Sequence, residues 1–316
     1  KVGDLIQYVS RSVIIGYVAG AALLIIANQF SYVLGIDPAR EGRSFFTIFV
    51  GTVSRISESN FASVFLGLGT FVFYFVLRRS FRTLPTFALS LFVASLVNWF
   101  LPNSLSIDTF NDQQGGGGLF PDISILTGSG FFDKIAELSG IAFGLAFLVA
   151  LEISVVSKSL VSRSGDELKM NHDLFGSGIA NVGCAFLSGM VASGSLTRSA
   201  LNYSSGAATK FSSVFSALFC GMGLWVFLKV DFVNYIPKSA LASLVIAVAI
   251  SLINWKQLLI CLLSTRSDAV TFLVTFISAL IMPLHVAIFI GAGTAVALFL
   301  RQAARPELVE YDFGSS

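Results

Sequence analysis

Residues 189–202 read Gly-Met-Val-Ala-Ser-Gly-Ser-Leu-Thr-Arg-Ser-Ala-Leu-Asn and lie between apolar runs of membrane-spanning length. Ser193, Gly194, Ser195, Thr197, Arg198 and Ser199 give this stretch hydroxyls, exposed backbone and one positive charge. Irregular backbone cannot face lipid, because each unpaired amide there costs several kcal/mol. The stretch must therefore face protein or a watery cavity. Its residues predict a broken helix whose new N-terminus starts near Ser195, with Arg198 in the first turn. A helix N-terminus presents free N–H groups and about half a positive charge. That end, joined by a guanidinium, is suited to hold an anion.

Glu152 is the second residue able to do chemistry, since it sits inside the apolar run 143–156. A carboxyl at mid-membrane depth costs about 2.5–3.5 kcal/mol on an insertion scale, so it should face the bundle interior. There it holds a proton or meets a cation. One turn on stands Val156, which offers no second oxygen for Na+, and this tilts the reading toward a proton. Arg198 can neutralise Glu152, tie off backbone carbonyls, or lend positive field to a bound anion. Asn181 and Asn202 are expected to bond across helices, and His172 beside Asp173 to start one. His285 falls in a turn with no chemical role assigned. Both histidines lie at span ends, so no Ser/His/Asp set forms. No HExxH, CxxC or Walker-type loop occurs. These absences disfavour an enzyme and imply neither cofactor nor metal. Cys184, Cys220 and Cys261 lack ligand spacing and read as small buried hydrophobes.

The elements that must position these residues are membrane helices. The chain is 55% hydrophobic and only 12% charged, with a mean hydropathy of +0.82. Soluble domains carry about 25% charged residues. The apolar runs approach about 20 residues without period-2 alternation, which predicts an all-α integral membrane protein, a polytopic helical bundle. Spans are expected near 12–30, 61–77, 84–101, 138–160, 172–190, 195–206, 211–229, 236–254, 268–283 and 284–301. Residues 255–264 read as an interfacial amphipathic helix. Basic residues cluster at Arg78, Arg79, Arg82, Lys158, Arg163 and Lys169, and strict alternation adds Lys210, Lys256, Arg266, Arg301 and Arg305 to that side. The positive-inside rule makes it cytoplasmic, with both chain ends inside. The opposite side holds the acidic loop with Asp108, Asp112, Asp122 and Asp133 and the run Gly115–Gly118, a flexible loop rather than a phosphate cradle. Gly16 and Gly20, and Gly140 and Gly144, have the small-xxx-small spacing of close helix contacts. The phenylalanines read as lipid-facing or packing residues. Nothing suggests a nucleic-acid partner.

Four runs in fixed order carry a family resemblance. They are Leu151-Glu152-Ile153-Ser154, residues 171–181, residues 193–202, and Gly206-Ala207-Ala208-Thr209. Together they resemble the SulP sulfate-permease family of anion transporters. The first span resembles that family's fifth helix, and residues 304–311 resemble its linker into a cytoplasmic STAS domain. The resemblance implies a 7+7 inverted-repeat transporter with an interrupted half-helix at the anion site, of which this chain holds segments 5–14. Residues 1–101 would then be the first half of the gate domain and 102–137 an extracellular loop. Residues 138–229 would be the second half of the core domain, 236–301 the second half of the gate, and 302–316 a linker toward a missing STAS domain. The first four segments, with the partner half-helix, would be missing too, so the chain alone is not expected to transport. Ser195, Leu196 and Thr197 match the family's anion-contacting helix start, Arg198 its positive residue, and Glu152 its coupling acid. The implied activity is secondary active transport of an inorganic anion, sulfate or bicarbonate first, by alternating access with proton symport. An anion exchanger, a Na+-coupled bicarbonate symporter and an anion channel or voltage-responsive protein are the competing readings. The implied partners are a small inorganic anion, a proton or Na+, the lipid bilayer and a second copy in a homodimer, in the plasma (inner) membrane.

Overall fold

The computed structural model describes residues 10–37, 44–81, 85–101, 107–109, 131–229 and 235–304. These form twelve α-helices: α1 (Arg11–Leu34), α2 (Phe45–Ser54), α3 (Phe61–Ser80), α4 (Thr86–Phe100), α5 (Phe131–Ser164), α6 (Met170–Phe186), α7 (Leu196–Ser204), α8 (Phe211–Lys229), α9 (Lys238–Leu252), α10 (Trp255–Ser264), α11 (Arg266–Ile281) and α12 (Leu284–Ala303). Among the described residues the other regular features are a 3-10 turn at Ile56–Glu58 and one antiparallel bridge between Thr109 and Pro237. The stretches Arg11–Leu34, Phe61–Ser80, Phe131–Ser162, Lys238–Ser264 and Leu284–Gln302 are long and apolar enough to cross a membrane. The chain is an integral, multi-pass membrane protein. Shorter apolar helices such as α4, with 15 residues, reach only about 22 Å at 1.5 Å per residue.

Each of the ten expected spans corresponds to a helix, and α10 matches the expected amphipathic segment. Two features differ. α2 was not anticipated, because its ten residues, six of them large and apolar, fall well below spanning length. α5 begins at Phe131, inside the stretch assigned to the 102–137 loop. Asp133 in its first turn complements the helix dipole and lets the helix start early. Gly115–Gly118, Asp112, Asp122, Arg40, Arg43, Arg82 and the tail from Arg305 onward lie outside the described residues.

Helix α1 is the axis of a tight bundle, packing against α9 and α11, while α11 lies on α12 and α9 on α3. Lipid gives helices no hydrophobic reason to associate, so close approach and small polar residues must do it. Gly16 and Gly20 meet α11 as expected: a Cβ at Gly16 would stand 2.7 Å from the Phe272 carbonyl, and one at Gly20 2.5 Å from the Ala279 Cβ. Thr271 and Thr275 are fully buried there, and the Thr275 hydroxyl donates to the Thr271 carbonyl at 2.7 Å. At one end of the bundle the Asp268 carboxylate accepts from Ser12 at 2.6 Å, Thr265 at 2.8 Å and Ser10 at 3.4 Å. Cys261 donates to the Ser12 hydroxyl, so it is a polar partner as well as a buried residue. Cys220 is exposed on α8, contrary to the buried role expected for it. Helix α8 makes little contact with the other helices, so its side chains have nothing to be buried against.

Helix α5 carries α6 and α7 and joins them to the bundle through α12. The junction is a cluster of Val13, Tyr17, Leu151 and Ile288. Outward phenylalanines such as Phe61 and Phe65 are largely exposed, as lipid-facing side chains must be.

Candidate functional site

The polar stretch is unwound. Helix α6 ends in a Schellman motif: the Gly189 N–H donates to the Cys184 carbonyl at 2.7 Å and the Ser188 N–H to that of Ala185 at 3.2 Å. The left-handed residue this motif needs is Ser188, at φ 52°, rather than glycine. From Gly189 to Ser195 the backbone has no regular structure, and at Leu196 the helix α7 begins. Its nine residues span about 14 Å, half the roughly 30 Å hydrocarbon core.

Ser195 is the N-cap of α7. Its backbone is extended, its hydroxyl accepts the Arg198 N–H at 3.5 Å, and its carbonyl takes the first helical bond from Ser199 at 2.9 Å. Leu196 opens the helix and Thr197 follows it. Both lie where backbone N–H groups have no acceptor within the helix. Arg198 is exposed in the first turn. Among the described residues the ion pairs are Arg55–Glu58 and Lys169–Glu167, so Arg198 does not neutralise Glu152 directly. The cap thus gathers dipole and guanidinium charge without a carboxylate to quench it. Ser193, just before it, has a buried hydroxyl with no hydrogen-bond partner among the described residues.

The unwound segment passes beside α5 at Gly194. A Cβ there would lie 3.7 Å from both Ile153 and Val156. Glu152 occupies the same stretch of α5, partly buried, within electrostatic reach of Tyr17. Leu151 belongs to the junction cluster, and Ile153 meets Gly194. At about 100° per residue, Glu152 projects into the arc between these two contacts.

The asparagines behave differently from each other. Asn202 accepts from Ser212 of α8 at 2.7 Å, a bond between helices as expected. Asn181 instead bonds its own helix at Ser177 and the unwound backbone at Ala192. A side chain pairing with remote backbone leaves no spacing signal in a sequence. His172 stands in the first turn of α6, where the neighbouring Asp173 accepts from Ser157 of α5 at 2.6 Å.

The profile of the sulfate permease family matches residues 1–275. Sulfate transporter 4.1 of Arabidopsis thaliana is 26% identical over 320 residues, 98% of this chain and 45% of the relative. A sodium-independent sulfate anion transporter of Bos taurus is 24% identical over 98% of this chain and 55% of the relative. The chain thus spans about half the length of the curated relatives it matches. Its fold is similar to that of SLC26A9, with a TM-score of 0.79, 17% identity and coverage of 93% of this chain and 47% of that one. It is also similar to the transmembrane domain of the cyanobacterial bicarbonate transporter BicA, with a TM-score of 0.70, 18% identity and coverage of 94% and 71%.

Proposed function

Because this chain belongs to the sulfate permease family, a family of transporters rather than enzymes, we propose that it carries the anion-binding half-helix of a secondary active transporter for inorganic anions. Sulfate and bicarbonate are the leading substrates. One observation carries the reading: the α7 N-terminus, capped by Ser195, has the Arg198 guanidinium in its first turn and no carboxylate pairing with that charge among the described residues. Backbone N–H groups of Leu196 and Thr197 and the Ser195 hydroxyl bind the anion, and Arg198 supplies field. Such a site accepts charge without a buried counter-ion to displace.

Glu152, on the adjoining face of α5, is the coupling residue, and a proton is the coupling ion. The bovine relative's name describes sodium-independent transport, which speaks against Na+ as the coupling ion. In this reading residues 138–229 are core, and residues 1–101 and 236–301 are gate. The two bodies move against each other across the α5–α12 seam. The protein works as a homodimer in the plasma (inner) membrane with both ends of this chain cytoplasmic, and residues 302–316 lead toward a cytoplasmic domain. Radiolabelled uptake by the intact protein in liposomes, competed with a panel of anions at two pH values, tests the substrate class and the coupling. Calorimetry of Arg198→Ala tests the site: anion affinity equal to wild type would end the reading.

A further inference from the structure

Asn181 of α6 holds the unwound segment by hydrogen bonds from another element. Its Nδ2 donates to the Ala192 carbonyl at 2.9 Å and its Oδ1 accepts the Ala192 N–H at 2.8 Å. A second Nδ2 proton goes to the Ser177 carbonyl at 3.0 Å, which locks the rotamer against α6. The assignment of oxygen and nitrogen follows from the partners, one a donor and two acceptors. The carboxamide therefore does for Ala192 what a neighbouring strand would do. It satisfies both backbone groups of a residue that has no helix to pair them.

The position matters as much as the bonds. Ala192 lies three residues before the Ser195 cap, and between them Gly194 passes beside Ile153 and Val156 of α5 with room for a Cβ. The hydrogen-bonded anchor on α6 thus holds the short lead into α7. A helix aims its N–H groups along its axis, so a swing of the lead swings the binding end with it. Misplacement by about 1 Å can cost about a hundredfold in a positioned site. We infer that Asn181 is a positioning residue for the anion: it touches no substrate, and it sets where the Ser195–Arg198 helix start points by holding Ala192. The inference rests on the anion-site reading above.

The carboxamide is replaceable in one informative way. A protonated aspartic acid at 181 can still donate an O–H to the Ala192 carbonyl and accept its N–H, losing only the Ser177 bond. An ionised one has no donor and repels both the carbonyl and an incoming anion. The experiment is sulfate binding by calorimetry to the intact protein, with bicarbonate as second probe at neutral pH, since acid converts it to CO2. Wild type, Asn181→Ala, Asn181→Asp, Ser195→Ala and Arg198→Ala are compared from neutral to acidic pH. Sulfate keeps its charge throughout, and the variant-to-wild-type ratio cancels the titration of groups both proteins share, Glu152, His172 and Asp173 among them. Asn181→Ala is expected to weaken binding about tenfold or more at every pH. Asn181→Asp is expected to be at least as weak near neutrality and to recover reversibly toward wild type on acidification, which a folding defect would not do. Wild-type affinity in Asn181→Ala, or no acid recovery in Asn181→Asp, overturns the positioning role. If that happens while Ser195→Ala and Arg198→Ala still lose binding, the site reading stands. If those two bind normally as well, or if wild type binds neither probe, the site reading falls and takes this inference with it.

Discussion

His285 closes over Gly144. A Cβ built on that glycine would stand 2.5 Å from the His285 Cβ and 3.1 Å from its Cα, and the ring reaches toward Gly140. The contact joins α5 to α12, and so links the helix bearing Glu152 to the bundle around α1. A histidine to which the sequence assigned no role is thus the knob in a glycine groove.

The first prediction concerns this knob. Gly144→Val should push α12 off α5 at a cost of about 1–3 kcal/mol, the usual range for overpacking. Uptake by the intact protein in liposomes should fall about tenfold. Adding His285→Gly should restore part of it, because that change removes the Cβ that the new side chain would meet at 2.5 Å. Two losses that simply add would mean the residues act separately.

Asp268 is expected to matter for stability. Its carboxylate gathers hydroxyls from the starts of α1 and α11, and Ser12 is buried beneath it with Cys261 behind. Asp268→Ala leaves that hydroxyl chain without its terminal acceptor and should cost about 1–3 kcal/mol. Thermal melting of the detergent-solubilised protein checks this, and a melting temperature equal to wild type contradicts it. Asp268→Asn, which retains one carbonyl acceptor, should fall between the two.

The third expectation runs toward stabilisation. Ser188 holds the left-handed position at the end of α6, which costs a residue with a side chain about 1–2 kcal/mol. Ser188→Gly relieves that strain, offset partly by the extra freedom of glycine in the unfolded chain. A net gain of up to about 1 kcal/mol should appear as a raised melting temperature. Ser188→Val should lower it, since a β-branched residue tolerates this backbone least.

These residues also mark what a sequence can and cannot convey. The spans, the amphipathic α10 and the helix start at Ser195 were legible because run length, periodicity and a Ser–Gly interruption are local signals. Helix α2 was not, since ten residues interrupted by Thr, Gly and Ser fit a loop as well as a helix. Ser188 carried no hint of its left-handed backbone. The partners of His285 and Asn181 depend on how distant or unwound backbone returns, so neither pairing was legible. Arg198 could be placed in the first turn from its spacing to Ser195. Its lack of a Glu152 ion pair could not, because that depends on where each side chain points.

The last prediction follows from where Glu152 stands on α5. Leu151, on one side, faces Val13, Tyr17 and Ile288. Ile153, on the other, faces Gly194 in the lead to α7. Glu152 therefore opens on the seam between bundle and half-helix. If it carries the coupling proton, Glu152→Gln should keep the shape of the site and its sulfate affinity, because the amide fills the same volume and the α7 cap is untouched. What it should lose is the response of uptake to an imposed pH gradient, since an amide cannot take up and release the proton. Liposome uptake with and without that gradient separates the outcomes. A variant that binds sulfate and still accelerates when the gradient is applied would move the coupling step to another residue, while leaving the anion at the tip of α7.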